Sequence, residues 1–305
     1  MAVRRRTDTI TAISTAEAEY GTPQLAIACL NDAPLSFNIN KTMVSLTRKI
    51  GQLLEMPKEE LVGRFSPSIT IDSPFYPALL TAFSEYFDLD SDTTDGDFKS
   101  YTIRQLDPSS ATAGNGIEMT GGKLQSMTLS QSDGIWRISL DIAGKTIVLE
   151  KAVSDLTGAS LKTLPTETPY RFDLGHKVCS LVIGEDEVKD VSLEDLSITI
   201  NFERADENVV YRNSQSKVND LICKITGEIN ITYTWDDADP FETSIFTEGQ
   251  ECTFLLAQPN SGGLEIEAHF VMTNWDRPDD TSCVYSATIT GKITNKVSIS
   301  QGIVA

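Results

Sequence analysis

The residues that could do chemistry are few, and each fails a specific requirement. Asp88, Asp90, Asp92, Asp95 and Asp97 form the densest run, with aspartate at positions 1, 3 and 5 of a twelve-residue calcium loop. That loop needs glycine at position 6 and a bidentate glutamate at position 12. Thr93 and Lys99 stand there, so the run reads as a solvated acidic loop, with a weak calcium site of another kind as the second reading. Ala143, Gly144, Lys145 and Thr146 resemble the end of a phosphate loop. The earlier glycine falls at Ser139, and the segment leaves a strand without opening a helix, so it reads as a hairpin exit. Gly114-Asn115-Gly116 lacks the third glycine of a dinucleotide fingerprint.

Nucleophile and metal chemistry have little to work with. There are two histidines, His176 and His269, no G-x-S-x-G elbow and no H-E-x-x-H pair. The five cysteines are widely spaced, odd in number and without a C-x-x-C, which excludes a disulfide framework or zinc site and reads as buried reduced thiols. The 44 Asp+Glu guarantee carboxylate neighbours everywhere, so no acid/base pair can be singled out. Trp136, Trp235 and Trp275 could stack sugars, although Trp136 shares an alternating apolar face and reads as core. No catalytic, cofactor-binding or metal residue is assigned, and no enzyme or cofactor is expected.

The positioning elements are mostly strands. Period-2 alternation puts Trp136, Ile138, Leu140 and Ile142 on one face, as it does Leu264, Ile266, Ala268 and Phe270. Leu196–Phe202 alternates with Ile198 and Ile200 inward, and 221–233 with Ile225, Ile229, Ile231 and Tyr233 inward. Repeated short strands of this kind mark a sandwich or barrel. Helical signal is confined to 73–87, with Ser73 as cap and Pro74 in the first turn, and to a weaker stretch at 239–246.

The chain also repeats itself. Leu61–Ile71 matches Leu221–Ile231 at an even offset of 160, which preserves the inward and outward faces. Each copy continues into a Pro-Phe helix start (Pro74-Phe75, Pro240-Phe241), a further strand (101–106, 252–257) and a hairpin ending in Gly-Lys (Gly144-Lys145, Gly291-Lys292). Four elements in the same order point to duplication. The expected fold is mainly β: two tandem β-sandwich or barrel domains, 1–155 with an N-terminal arm and 156–305 with a C-terminal segment, each holding one short helix. Two long polar connections, 41–60 and 204–220, precede the matched strands. The first carries Ile50, Leu53, Leu54 and Met56, an apolar exposure that a partner would cover.

Composition sets the partners. The 305 residues carry 25 Lys+Arg and a net charge of −19, divided as −6 over 1–155 and −13 over 156–305. Such acidity excludes DNA groove binding, which needs clustered cations. No apolar run approaches transmembrane length, and the polar continuation after Arg4, Arg5 and Arg6 is unlike a secretory signal, so no membrane partner is expected.

Taken together, Glu19-Tyr20-Gly21-Thr22-Pro23, Lys49-Ile50-Gly51, the 62–66 segment Val-Gly-Arg-Phe-Ser, the Pro74–Phe83 helix and the Gly122–Leu129 hairpin resemble the bacteriophage major tail tube proteins. The resemblance covers most of the chain and implies tail-tube-like β-domains that pair into a continuous inner barrel. Sixfold geometry is the norm of that family, so a chain with two such domains implies three chains per ring, with a hexamer as the other possibility. It further implies a structural role in the virion tail after synthesis in the host cytoplasm, self-association into stacked rings, tail terminator, tail-tip and tape measure partners, and DNA passing through unbound. On this reading Ile50, Leu53, Leu54, Met56, Arg204 and Arg212 make contacts between subunits or rings. Ser66, Ser68, Thr70, Glu228 and Asn230 line the lumen, where carboxylates repel phosphates. Alternation says which residues share a face, not which face is the wall. The reading from another class is a carbohydrate-binding, adhesive or capsid-decoration protein built from two β-sandwiches.

Overall fold

The computed structural model describes residues 10–24, 26–30, 35–47, 57–90, 98–106, 116–151, 167–183, 187–204, 209–210, 219–234, 249–276 and 286–302. The fold is mainly β. In chain order the first half has β1 (Ile10–Ala16), β2 (Ala26–Leu30), β3 (Leu35–Thr47), β4 (Pro57–Pro74), helices α1 (Pro77–Ala82) and α2 (Ser84–Phe87), β5 (Asp88–Leu89), β6 (Tyr101–Leu106), β7 (Gly116–Ser132), β8 (Ile135–Ala143) and β9 (Thr146–Lys151). The second half has β10 (Val178–Ile183), β11 (Glu187–Asp190), β12 (Ser192–Glu203), β13 (Val209–Val210), β14 (Asn219–Asp220), β15 (Lys224–Thr234), β16 (Glu251–Ala257), β17 (Leu264–Asp276) and β18 (Ser286–Gln301). All but β13 and β14 join one open, 16-stranded antiparallel sheet.

The alternation seen in sequence is the burial pattern of these strands. Trp136, Ile138, Leu140 and Ile142 are buried, as are Leu196, Ile198, Ile200, Phe202, Ile229, Ile231 and Tyr233. Period-2 patterning sends every second side chain to one face, where burial offsets the loss of backbone freedom. One core cluster takes residues from both halves. An Asp133-Gly134 turn joins β7 to β8, and both residues have positive φ (53° and 75°), the turn whose twist matches a two-residue hairpin.

β7 is the hub. Its first half pairs with β6 and β9, and its second half pairs with β8 and β12. The β7–β12 ladder runs from Ser126 opposite Asn201 to Ser130 opposite Ser197 and joins the two halves of the chain. Two further contacts seal that junction. β5 adds to β18, with Leu89 opposite Val297. Phe202 sets its ring against Tyr86 at 5.1 Å and 88°, in a T-shaped contact, with Phe98 at 5.7 Å.

Pairing in the first half recurs in the second. β1–β2, β1–β6, β6–β7, β7–β8, β4–β8 and β3–β4 correspond in order to β10–β11, β10–β16, β16–β17, β17–β18, β15–β18 and β12–β15. One irregularity coincides as well. The β7–β8 register shifts between Leu124 and Ser126, and the β17–β18 register shifts between Met272 and Asn274.

Four expectations need correction. The stretch 41–60 is not a loop at either end. β3 and β4 continue as a hairpin arm, pairing Met43 with Val62 and Leu46 with Glu59. Likewise β13 and β14 pair within 204–220, Val209 opposite Asp220. β-Pairing satisfies backbone groups that a loop would leave to water, and polar strands read as loops when neither face is uniformly apolar. The helix does not begin at Ser73. That residue is buried in β4 opposite Ile138, its Oγ donates to the Pro74 carbonyl, and α1 starts at Pro77. The Ala78 amide donates to the Glu167 carboxylate instead, which supplies the missing cap. Finally, Cys223 is exposed, whereas Cys179 and Cys252 are buried. Burial pushes the Cys252 thiol up to about 11. The expected helix at 239–246 lies outside the described residues.

A buried polar bridge ties the turn after Tyr170 to both halves. Trp136 Nε1 donates to Gln258 Oε1 (2.8 Å), which also accepts the Leu264 amide (3.0 Å), and Gln258 Nε2 donates to the Phe172 carbonyl (2.9 Å). Gln258→Leu strands these partners in the core, and chemical denaturation should register a loss of about 3 kcal/mol. A loss below about 1 kcal/mol would mean that the bridge is not holding these segments together.

Candidate functional site

The candidate site is a sheet face. Opposite the core, the strands β4, β8, β7, β12, β15 and β18 present polar residues in rows that cross from one half of the chain to the other. One row reads Asp72, Ser139, Thr128, Thr199, Glu228 and Lys292, each directly opposite the next. Residues directly opposite in a ladder share a face. The next row holds Thr70, Asp141, Ser126, Asn201 and Thr226.

Hydrogen bonds knit the strands across this face. Thr70 Oγ1 and Ser126 Oγ donate to the two carboxylate oxygens of Asp141, at 2.5 and 2.9 Å. The Thr128 and Thr199 hydroxyls meet at 3.1 Å over the junction between the halves. Thr232 and Thr288 do the same at 3.1 Å, and Thr290 Oγ1 donates to Asn230 Oδ1 at 2.8 Å. Carboxylates Asp72, Asp141, Asp195, Glu203 and Glu228 share the face with Arg137, Lys224 and Lys292. Arg137 pairs with Asp72 (3.2 Å) and Lys224 with Glu203 (3.4 Å). The face is therefore a hydroxyl-rich surface with interspersed charge. Several of its short side chains hydrogen-bond one another, and it carries no dense cation patch.

Of the residues expected to line a lumen, Thr70, Glu228 and Asn230 come to this one face, and Ser68 follows Thr70 at the strand period. Ser66 lies in β4 opposite Asn40. Of the expected contact residues, Arg204 bridges the halves within the chain: its guanidinium donates to the Leu124 carbonyl (2.7 Å) and the Phe202 carbonyl (3.4 Å). Ile50, Leu53, Leu54, Met56 and Arg212 lie outside the described residues, as does Trp235. Trp275 is half-buried, and its Nε1 donates to the Tyr233 hydroxyl at 3.3 Å. Asp88 and Asp90 of the acidic run are exposed, and the rest of that run is outside the described residues.

Sequence reading missed Glu17. Its buried carboxylate accepts hydrogen bonds from Ser100 Oγ (2.6 Å), Thr102 Oγ1 (2.8 Å), the Gly21 amide (2.8 Å) and the Gly121 amide (3.0 Å). Gly121 has φ +68°, and a Cβ there would meet Lys145 Cβ at 2.6 Å, so the approach requires glycine. Beside it the Lys145 ammonium donates to the Tyr20 carbonyl (2.9 Å) and lies 5.1 Å from the Tyr20 ring centroid. Arg104 and Glu118 form a buried ion pair at 2.7 Å on the same sheet. Only the placement of Glu17 ahead of the Tyr20-Gly21 turn hinted at this cluster. It anchors β1 to β6 and β7.

Comparison with known proteins adds no relative: no family model and no curated protein matches this chain. Among the described residues, no helix is long and apolar enough to cross a membrane, and no group of three His, Cys, Asp or Glu side chains is placed to hold a metal.

Adjacent residues on β12 separate the two faces. Ile198→Ala opens a cavity in the core and should cost about 3 kcal/mol in urea denaturation. Thr199→Ala should cost under about 1 kcal/mol, because it removes one hydroxyl contact on a solvent-accessible face. Equal losses would contradict this assignment of core and polar face.

Proposed function

We propose that this chain is a structural subunit of a tube of the bacteriophage tail-tube kind, built from two copies of one β-domain and acting without catalysis. The observation that carries the reading is the polar face, which runs without a break across two halves with the same strand pairing. A sheet that joins like domains edge to edge is the element from which a closed barrel is made.

The duplication is supported by register as well as order. Ile71 lies opposite Leu140, and Ile231 opposite Ile289. Ser68 lies opposite Ala143, and Glu228 opposite Lys292. Leu61–Ile71 and Leu221–Ile231 thus correspond as their sequences suggest, while Lys292 matches Ala143 and not Lys145. The shared Gly-Lys is offset by two residues, an even slip that leaves the faces unchanged.

On this reading the hydroxyl-rich face lines the channel. DNA passes because the wall is short, polar and poor in free cations, and the acidity of the rest of the chain keeps it from adhering elsewhere. The hairpin arm of β3 and β4 and its smaller counterpart, β13 and β14, extend from matched positions in the two halves and make the ring-to-ring contacts. Terminator, tip and tape measure proteins are the partners this role requires. The place of action is the virion tail.

Negative-stain microscopy of the purified chain tests the reading. Tubes or stacked rings are expected, with threefold symmetry and six similar lobes end-on. A chain that stays monomeric at high concentration would refute it. A ring of twelve lobes would instead mean six chains.

A further inference from the structure

The two halves match in strand pairing but differ in what lies over one sheet face. In the first half, Arg104, Glu118 and Val148 stand in a row across β6, β7 and β9. In the second half the corresponding row is Leu255, Glu267 and Ser298, across β16, β17 and the end of β18. The first row is covered by the connection between β1 and β2. There the Gln24 amide donates to Thr102 Oγ1 (3.2 Å), the Gln24 carbonyl accepts Arg104 Nη1 (2.5 Å), and the Tyr20 carbonyl accepts Lys145 Nζ (2.9 Å). Thr102, Arg104, Glu118 and Thr120 are all buried.

The second half has no counterpart of that cover. The β1–β2 connection spans 17–25, whereas β10 ends at Ile183 and β11 begins at Glu187. Among the described residues the face is left as a groove of about 340 Å³. Val178, Leu255 and Ala257 line it from β10 and β16, and Glu265, Glu267 and Ser300 line it from β17 and β18. Val178 is exposed. Glu267 meets Lys296 Nζ (2.6 Å) and His269 Nε2 (2.9 Å). Glu265, two residues away on the same face, has no hydrogen-bond or ion-pair partner among the described residues. Asp88, opposite Ser298, adds a carboxylate beside the groove.

One wall is apolar and the other is acidic. That combination suits an extended segment rich in arginine, whose stems lie on apolar surface while the guanidinium groups pair with carboxylates. Residues 1–9 have this character. Arg4, Arg5 and Arg6 are the only three consecutive basic residues in a chain of net charge −19. We propose that residues 1–9 of this chain dock along the groove, with an arginine on Glu265. They thereby cover in the second half the face that the β1–β2 connection covers in the first.

The test uses the full chain carrying p-benzoylphenylalanine in place of Val3. Irradiation and digestion should give cross-links to peptides that contain Leu255, Glu265 or Ser300. Glu265→Arg should reduce them about tenfold, the worth of one charge-assisted pair. Adding Arg5→Glu to Glu265→Arg should restore them. Independently, trypsin should cut after Arg4, Arg5 and Arg6 more slowly in the unmodified chain than in Glu265→Gln, a change that keeps the side chain's shape. None of these readouts requires tubes to form, so they separate this contact from the tube reading. Cross-links that map to other segments, or equal trypsin rates in the unmodified chain and Glu265→Gln, would overturn the docking.

Discussion

The fold depends on one strand serving two ladders. β7 spans Gly116–Ser132, and its two ends have different neighbours. An antiparallel strand has two edges, and an edge left open in a long sheet invites uncontrolled pairing. β7 closes its second edge with β12, and in doing so fuses the halves into one sheet with one core. Remove that ladder and the chain becomes two half-sheets with unsatisfied edges.

The chemistry of the junction reflects this demand. Its core side holds apolar pairs, Met127 opposite Ile200 and Leu129 opposite Ile198, while its other side holds Thr128 against Thr199. Phe202, Tyr86 and Phe98 pack at one end, and Arg204 reaches the Leu124 carbonyl beside them. Aromatic packing and a charged donor on a backbone carbonyl both fix geometry more strongly than aliphatic contact alone. The junction is a defined register.

The acidity acquires a different meaning once the faces are known. The polar face carries carboxylates, but Arg137 and Lys224 pair with two of them and hydroxyls dominate the rows. Several of its short side chains are hydrogen-bonded to one another, and the net negative charge of the chain acts at longer range.

The sequence alone determined the strands and their faces. Period-2 alternation identified Trp136–Ile142, Leu196–Phe202 and Leu264–Phe270 as half-buried, because burial of every second side chain is a local property of an extended backbone. It also showed that 61–71 and 221–231 match at an offset of 160 residues. Only the tertiary structure decided which strands pair. It turned most of the supposed loop at 41–60 into the arm of β3 and β4, moved the helix start from Ser73 to Pro77, and shifted the Gly-Lys match by two residues. It revealed the Glu17 cluster, whose partners lie up to 104 residues away. Hydrogen bonds between distant strands leave no periodic trace in either strand. Register and polar anchoring therefore become visible only when the chain has closed on itself.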